Sequence, residues 1–132
     1  MSTWKSFRPD GIPHPFALSI TNEEVMFVSG LGGRDAEGNM PESPLEQARQ
    51  ALRTMREHLE REGFTLDEIV WFHPYTTDIS YAFEMDEALR EAFGENPPAC
   101  GAMLAGVQLA DPQMKIEFEA VAVKGAQRVR VK

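Results

Sequence analysis

Eight residues, Ile116-Glu117-Phe118-Glu119-Ala120-Val121-Ala122-Val123, restrict what this chain can fold into more than any other segment. Successive side chains of an extended strand point to opposite faces. One face therefore presents Ile116, Phe118, Ala120 and Ala122, and the other Glu117, Glu119, Val121 and Val123. Both faces carry apolar groups. Ala102 to Leu109, with Met103, Leu104 and Val107, has the same two-sided character and is expected to form a neighbouring strand. A single layer of helices covers only one face of a sheet, so the second face calls for another cover, and self-association is the simplest.

The helices that would cover the first face are legible. From Pro44 to about Glu62, Leu45, Ala48, Leu52, Met55 and Leu59 recur at three- and four-residue intervals and form one apolar stripe. Ser43 can cap this helix, Pro44 suits its first turn, Glu46 stands where a capping box places an acid, and Gly63 can stop it. His58 lies beside the stripe and reads as a partly buried or surface histidine rather than a ligand. A second helix is expected from Tyr81 to Phe93, with Met85, Ala88, Leu89 and Ala92 inward and Gly94 ending it.

The strands follow from shorter signals. Phe16 to Ile20 and Val25 to Ser29 are apolar runs around Thr21-Asn22-Glu23-Glu24 and read as an antiparallel hairpin. Ile69 to Thr77 places Trp71, His73 and Tyr75 on one face, and Pro74 within it calls for an edge position or a bulge. Pro9, Pro13 and Pro15 predict an irregular arm, with ordered structure starting near Phe16. The order strand, strand, helix, strand, helix, strand, strand suits an α+β fold with a mixed sheet and helices on one side. No internal repeat or linker is evident, so one domain over residues 1–132 is expected.

Composition narrows the function classes. A length of 132 residues with 42% apolar side chains supports a real core. Thirteen basic against 21 acidic residues give a net charge of −8, which opposes approach to nucleic acid and to anionic membrane surfaces. The tail from Lys124 to Lys132 holds four basic residues without interleaved aromatics and reads as a solvated end. The single cysteine forms no internal disulfide and fits a reducing compartment. The N-terminus lacks a signal pattern, and no stretch approaches the roughly 20 apolar residues of a membrane span. A cytoplasmic protein is expected.

No metal site is expected, because His14, His58 and His73 are far apart and none is paired in a close ligand spacing. The loop Leu31 to Asn39 is glycine-rich but lacks a phosphate-loop lysine, so it reads as turn chemistry. Cys100 lacks the local signatures of cysteine hydrolases; it reads first as a small apolar residue, with a functional thiol as the alternative. His73 is a candidate acid or base, or else an interfacial histidine satisfied by a hydrogen bond.

Three segments resemble the RidA/YjgF family of small trimeric proteins, many of which hydrolyse enamines and imines to ketones and ammonia. These are Val25-Met26-Phe27-Val28-Ser29-Gly30, Gly94-Glu95-Asn96-Pro97-Pro98-Ala99-Cys100-Gly101 and Ile116 to Val123. The resemblance spans roughly residues 12–124. It implies the chorismate-mutase-like fold, with two helices packed on one face of the sheet, and a homotrimer with clefts between subunits. It also implies a small-molecule metabolite as ligand and no cofactor. Glu117 is similar to the acid that positions the attacking water, and Gly30 to the glycine whose backbone lies in the cleft. Thr77-Asp78 is similar to the family's strand-to-helix corner.

Two positions depart from the pattern. Cys100 stands where the family usually has the arginine that grips a substrate carboxylate, and Phe16 where it often has a tyrosine. The loop Gln108 to Met114 is also about two residues longer than usual in the family. With the paired guanidinium donors missing, the pocket is less polar and less cationic. Arg34 is a candidate replacement from its loop, with Lys115 a weaker one. The implied reaction is hydrolysis of carbon–nitrogen bonds in imine-like metabolites with an altered substrate. Glu117 would be catalytic, and Phe16, Gly30, Cys100, His73 and Arg34 would shape the pocket. A non-catalytic, metabolite-binding or regulatory trimer is the alternative, and a ribonuclease, a label carried by relatives, fits the acidic balance least.

Overall fold

A computed structural model describes residues 3–132, and its centre is a seven-stranded mixed sheet with two helices on one face. The strands are β1 (Lys5–Phe7), β2 (Ser19–Thr21), β3 (Val25–Leu31), β4 (Ile69–Thr76), β5 (Ala99–Cys100), β6 (Leu104–Ala105) and β7 (Ile116–Val123). The helices are α1 (Pro44–Arg61) and α2 (Ala82–Phe93). The sheet runs β1-β2-β3-β7-β4-β5, with β6 also on β4; β5 and β6 are parallel to β4 and every other pair is antiparallel.

The β7 alternation is realised as its sequence requires. Ile116, Phe118, Ala120 and Ala122 are buried beneath the helices. Phe118 packs on Phe72 of β4 at 4.9 Å between ring centroids, and Phe72 meets Phe93 of α2 edge-on at 5.2 Å. From α1, Ala48, Ala51, Leu52, Met55 and Leu59 join this core; from α2, Met85, Ala88 and Phe93 do so. The Ser43 Oγ accepts from the Glu46 N–H at 3.2 Å, and Gly63, at φ 82°, turns the chain away after α1.

The hairpin forms through an Asx turn. Asn22 Oδ1 accepts from the Glu24 and Val25 amides at 2.8 and 2.7 Å, and β2 and β3 pair through Ile20↔Phe27. Between Val28 and Leu31 the β3–β7 register shifts, placing a bulge at Ser29-Gly30.

Four features differ from the sequence expectations. The proline-rich arm begins with a strand, β1, anchored where Trp4 packs on Phe27 and the Arg61 guanidinium lies 3.4 Å over the Phe7 ring. Three residues are too few to show a period. The strand expected over Ala102–Leu109 shrinks to Leu104–Ala105, because Gly106, at φ 75°, bends the chain out of the sheet. Pro74 sits on an interior strand rather than an edge; its place falls between β5, paired at Trp71–Phe72, and β6, paired at Tyr75–Thr76. The ladder on that flank is already interrupted there.

The fourth concerns the tail. Arg128, read as solvated, is largely buried: its Nη1 donates to the Leu66, Asp67 and Ile69 carbonyls and its Nε to the Asn96 carbonyl, with the guanidinium over Phe93. Carbonyls left over at chain corners attract a planar multi-donor group, a match invisible in local sequence.

Phe118→Ala is expected to lower unfolding free energy by about 3–5 kcal/mol in urea denaturation, because it opens a cavity between β7, β4 and the helices. Phe83→Ala, at a side chain 84% exposed, is expected to change it by less than about 0.5 kcal/mol.

Candidate active site

The helix-free face of the sheet carries the candidate site. Because Phe118 and Ala120 point into the core, Glu117 and Glu119 stand on the open face. In register with them across β4 are Tyr75, opposite Glu117, and His73, opposite Glu119.

Glu117 is half-buried against the bulge of β3. A Cβ built on Gly30 would lie 2.7 Å from Glu117 Oε1, so the carboxylate occupies space that only glycine leaves open. Burial, and then the neighbouring charge of Glu119, raise its pKa above the ordinary carboxylate value. A carboxylate in that state is a better proton acceptor than one in free solvent.

Beside it lies a three-membered network. The Tyr75 hydroxyl donates to Glu119 Oε1 at 2.8 Å, and His73 Nδ1 is 3.2 Å from the same oxygen and 3.1 Å from the hydroxyl. His73 Nε2 faces the Ala102 carbonyl at 3.0 Å, an acceptor, so that nitrogen carries a proton. Because the Tyr75 proton is given to Glu119, Nδ1 completes the triangle as a donor to the same carboxylate only in the charged ring. The rings of His73 and Tyr75 stack at 4.4 Å. Burial, followed by the hydrogen bond to Glu119 and the charges of Glu119 and Glu117, pushes the Tyr75 hydroxyl up to about 12. It is a hydrogen-bond donor at neutral pH, not a base.

The flank of this floor is the short segment through Cys100. Cys100 pairs in register with Phe72, and a Cβ on Gly101 would lie 3.1 Å from Trp71 and 3.2 Å from His73. Cys100 is exposed, yet partial desolvation of its sulfur and then the charge of Asp86 push the thiol up. The thiolate needed for a nucleophile is thereby disfavoured, and the thiol lies with Phe72 on the α2 side of the sheet, so Gly101 rather than Cys100 borders the floor.

The remaining residues singled out from sequence lie elsewhere. Arg34 is held by the Asp111 carboxylate, with the Gly38 carbonyl and Gln113 as further acceptors, at the junction of the two loops. Lys115 donates to the Glu42 carbonyl and stands 5.6 Å over the Tyr81 ring. Phe16, 49% exposed, precedes β2 and stacks on His14 at 5.0 Å. The structure thus brings Gly30 and Glu117 together, sets His73 beside them on β4, places the Cys100 side chain on the α2 side of β5 with Phe72, away from Glu117, and engages Arg34 in loop structure. Glu119, Tyr75 and Trp71 were not singled out as site residues. Their two-residue spacing from Glu117 and His73 was the available signal.

Known proteins share this architecture. The model of the family described as Endoribonuclease L-PSP matches residues 10–124. A RutC family protein of Pyrococcus abyssi is 30% identical over 124 residues, covering 92% of this chain and 94% of that protein. The human 2-iminobutanoate/2-iminopropanoate deaminase is 28% identical over 113 residues, 84% of this chain and 81% of the human one. The crystal structure of a member of the YjgF/YER057c/UK114 family from Mycobacterium tuberculosis, 25% identical, superposes with a TM-score of 0.78 over 92% of this chain and 99% of that one. On the family match and on the fold, this chain belongs to the L-PSP endoribonuclease family, also called YjgF/RidA.

Proposed function

We propose that the protein hydrolyses carbon–nitrogen double bonds of small imines and enamines, releasing ammonia. The observation that supports this best is the seating of Glu117: a half-buried carboxylate, raised in its proton affinity, fitted against the β3 bulge where Gly30 leaves room. Such a group takes a proton from water as the oxygen attacks the imine carbon. It returns that proton to nitrogen to give the carbinolamine, then relays the hydroxyl proton to the same nitrogen, so that the carbon–nitrogen bond breaks, the carbonyl forms and ammonia leaves. The overall change is imine plus water to carbonyl plus ammonia. It calls for no redox group. The human relative named as an imine deaminase lends the reaction class.

The assembly belongs to this reading. Ile20, Phe27, Val121 and Trp71 form a row in register across the open face, and Ile20, Phe27 and Trp71 are 38%, 47% and 45% exposed. A homotrimer that covers the Ile20 and Phe27 end of this row and leaves the Trp71 end open would place Glu117 in clefts between subunits. A ribonuclease role meets a net charge of −8 and two carboxylates on the proposed floor, both repelling phosphodiesters.

Glu117→Gln is expected to lower ammonia release from in situ imines by about 10²- to 10⁴-fold in kcat, with the fold unchanged by circular dichroism. Equal turnover in the variant would defeat the mechanism. Since Glu117 acts ionised and its proton affinity is raised, kcat/KM should fall as pH drops through a midpoint above the ordinary carboxylate range. Glu119→Gln removes one of the two causes and should shift that midpoint downward. Gly30→Ala, which drives the carboxylate out of its seat, is expected to abolish most turnover, and light scattering should give three times the chain mass.

A further inference from the structure

The charge of the cleft floor bears on which imine the protein takes. Glu117 and Glu119 stand side by side on the open face of β7, with Tyr75 and His73 across from them. His73 is engaged at both ring nitrogens, so when protonated it neutralises Glu119 and does not present its charge to a ligand. Among the described residues, the basic groups closest in sequence to these strands are tied elsewhere. Arg34 is on Asp111, Lys115 on the Glu42 carbonyl, and Lys124 on the Gly63 carbonyl. The arginines of α1 and α2 belong to the layer on the far side of the sheet. Trp71, 45% exposed, adds an aromatic surface along the same floor, and Gly101 borders it without a side chain.

Two carboxylates with an exposed indole repel an anionic ligand and attract a cationic one. We propose that the cleft selects imines and iminium ions that lack a carboxylate, the products of amine oxidation rather than of amino-acid oxidation. For the reaction this rests on the hydrolase reading above; the charge preference rests only on the geometry. An iminium ion is itself cationic, so the floor holds the protonated, more electrophilic form of its own substrate. Glu117 then directs water at the carbon, and protonated nitrogen departs as ammonia once the carbonyl forms. The atoms balance with water alone, the imine having been made beforehand by an oxidase of another class.

A matched pair tests this. Phenethylamine with a flavin amine oxidase, and phenylalanine with a flavin amino-acid oxidase, release imines that differ only in the carboxylate. Their decay is followed by competition with semicarbazide. The purified protein is expected to hydrolyse the phenethylamine product with at least tenfold higher kcat/KM; a preference for the phenylalanine product overturns the inference and leaves the hydrolase reading intact. Binding is read separately in Trp4→Phe, which leaves Trp71 as the sole indole, the chain having two tryptophans. Phenethylammonium should quench Trp71 fluorescence at a Kd at least tenfold below that of phenylacetate, and Glu119→Gln should narrow the gap. Equal or tighter phenylacetate binding, or a gap untouched by Glu119→Gln, overturns the charge argument. Ammonium selectivity without turnover of either imine refutes the hydrolase reading and, with it, the proposed substrate, while sustaining the charge preference.

Discussion

The pairing of β7 with β4, locked by the Phe118 and Phe72 rings on the covered face, decides what stands on the open one. A strand has a period of two, so a slip of one residue would send Glu117 and Glu119 into the core and bring Phe118 to solvent. Burying two carboxylates without partners is prohibitive beside burying a phenyl ring, and the register has no competitor. The position of the proposed general base is therefore a consequence of core packing. Nothing at the site itself needs to specify it.

The surrounding loops are held by a buried polar residue of α1. Gln47, 1% exposed, donates through Nε2 to the Pro41 and Gln113 carbonyls at 2.7 and 3.0 Å and accepts at Oε1 from the Lys115 amide at 2.8 Å. One side chain thus joins the loop before α1 to the loop that enters β7. Gly33 lies so close that a Cβ there would come within 2.5 Å of the Gln47 Cα. A buried amide with all these partners fixes a geometry that an apolar side chain of similar size would leave loose.

What was legible in the sequence follows from this hierarchy. The Ser43 cap, the α1 stripe and the β7 alternation are local patterns with one physical solution each, and the structure realises them. The resemblance led to Glu117 and Gly30 as a pair, and the bulge at Ser29-Gly30 supplies the reason for their proximity. Long-range matches were not legible. Arg128 finds its carbonyls some 60 positions away in the chain, and the Tyr75–His73–Glu119 network needs the β4–β7 register before its members can be recognised as neighbours. The Arg34–Asp111 contact is of the same kind, since no spacing rule relates a glycine-rich loop to an acid 77 residues later.

The proposed association and the proposed chemistry fall on the same face of the sheet, and their spacing has a physical consequence. On β7, Val121 belongs to the apolar row with Phe27 and Trp71, while Glu119 and Glu117 follow at two-residue steps, each about 7 Å along the strand. Whatever covers Val121 must therefore lie within one or two steps of the carboxylates and take part in their desolvation. Burial is already the leading cause of Glu117's raised proton affinity in the isolated chain, and a second subunit over the apolar row would deepen it. Glu119 would withstand the same desolvation through the donor that Tyr75 supplies, with His73 beside it, so the network would let two adjacent acids remain beneath a covering subunit. Assembly and acidity are on this account coupled through the pleat of a single strand.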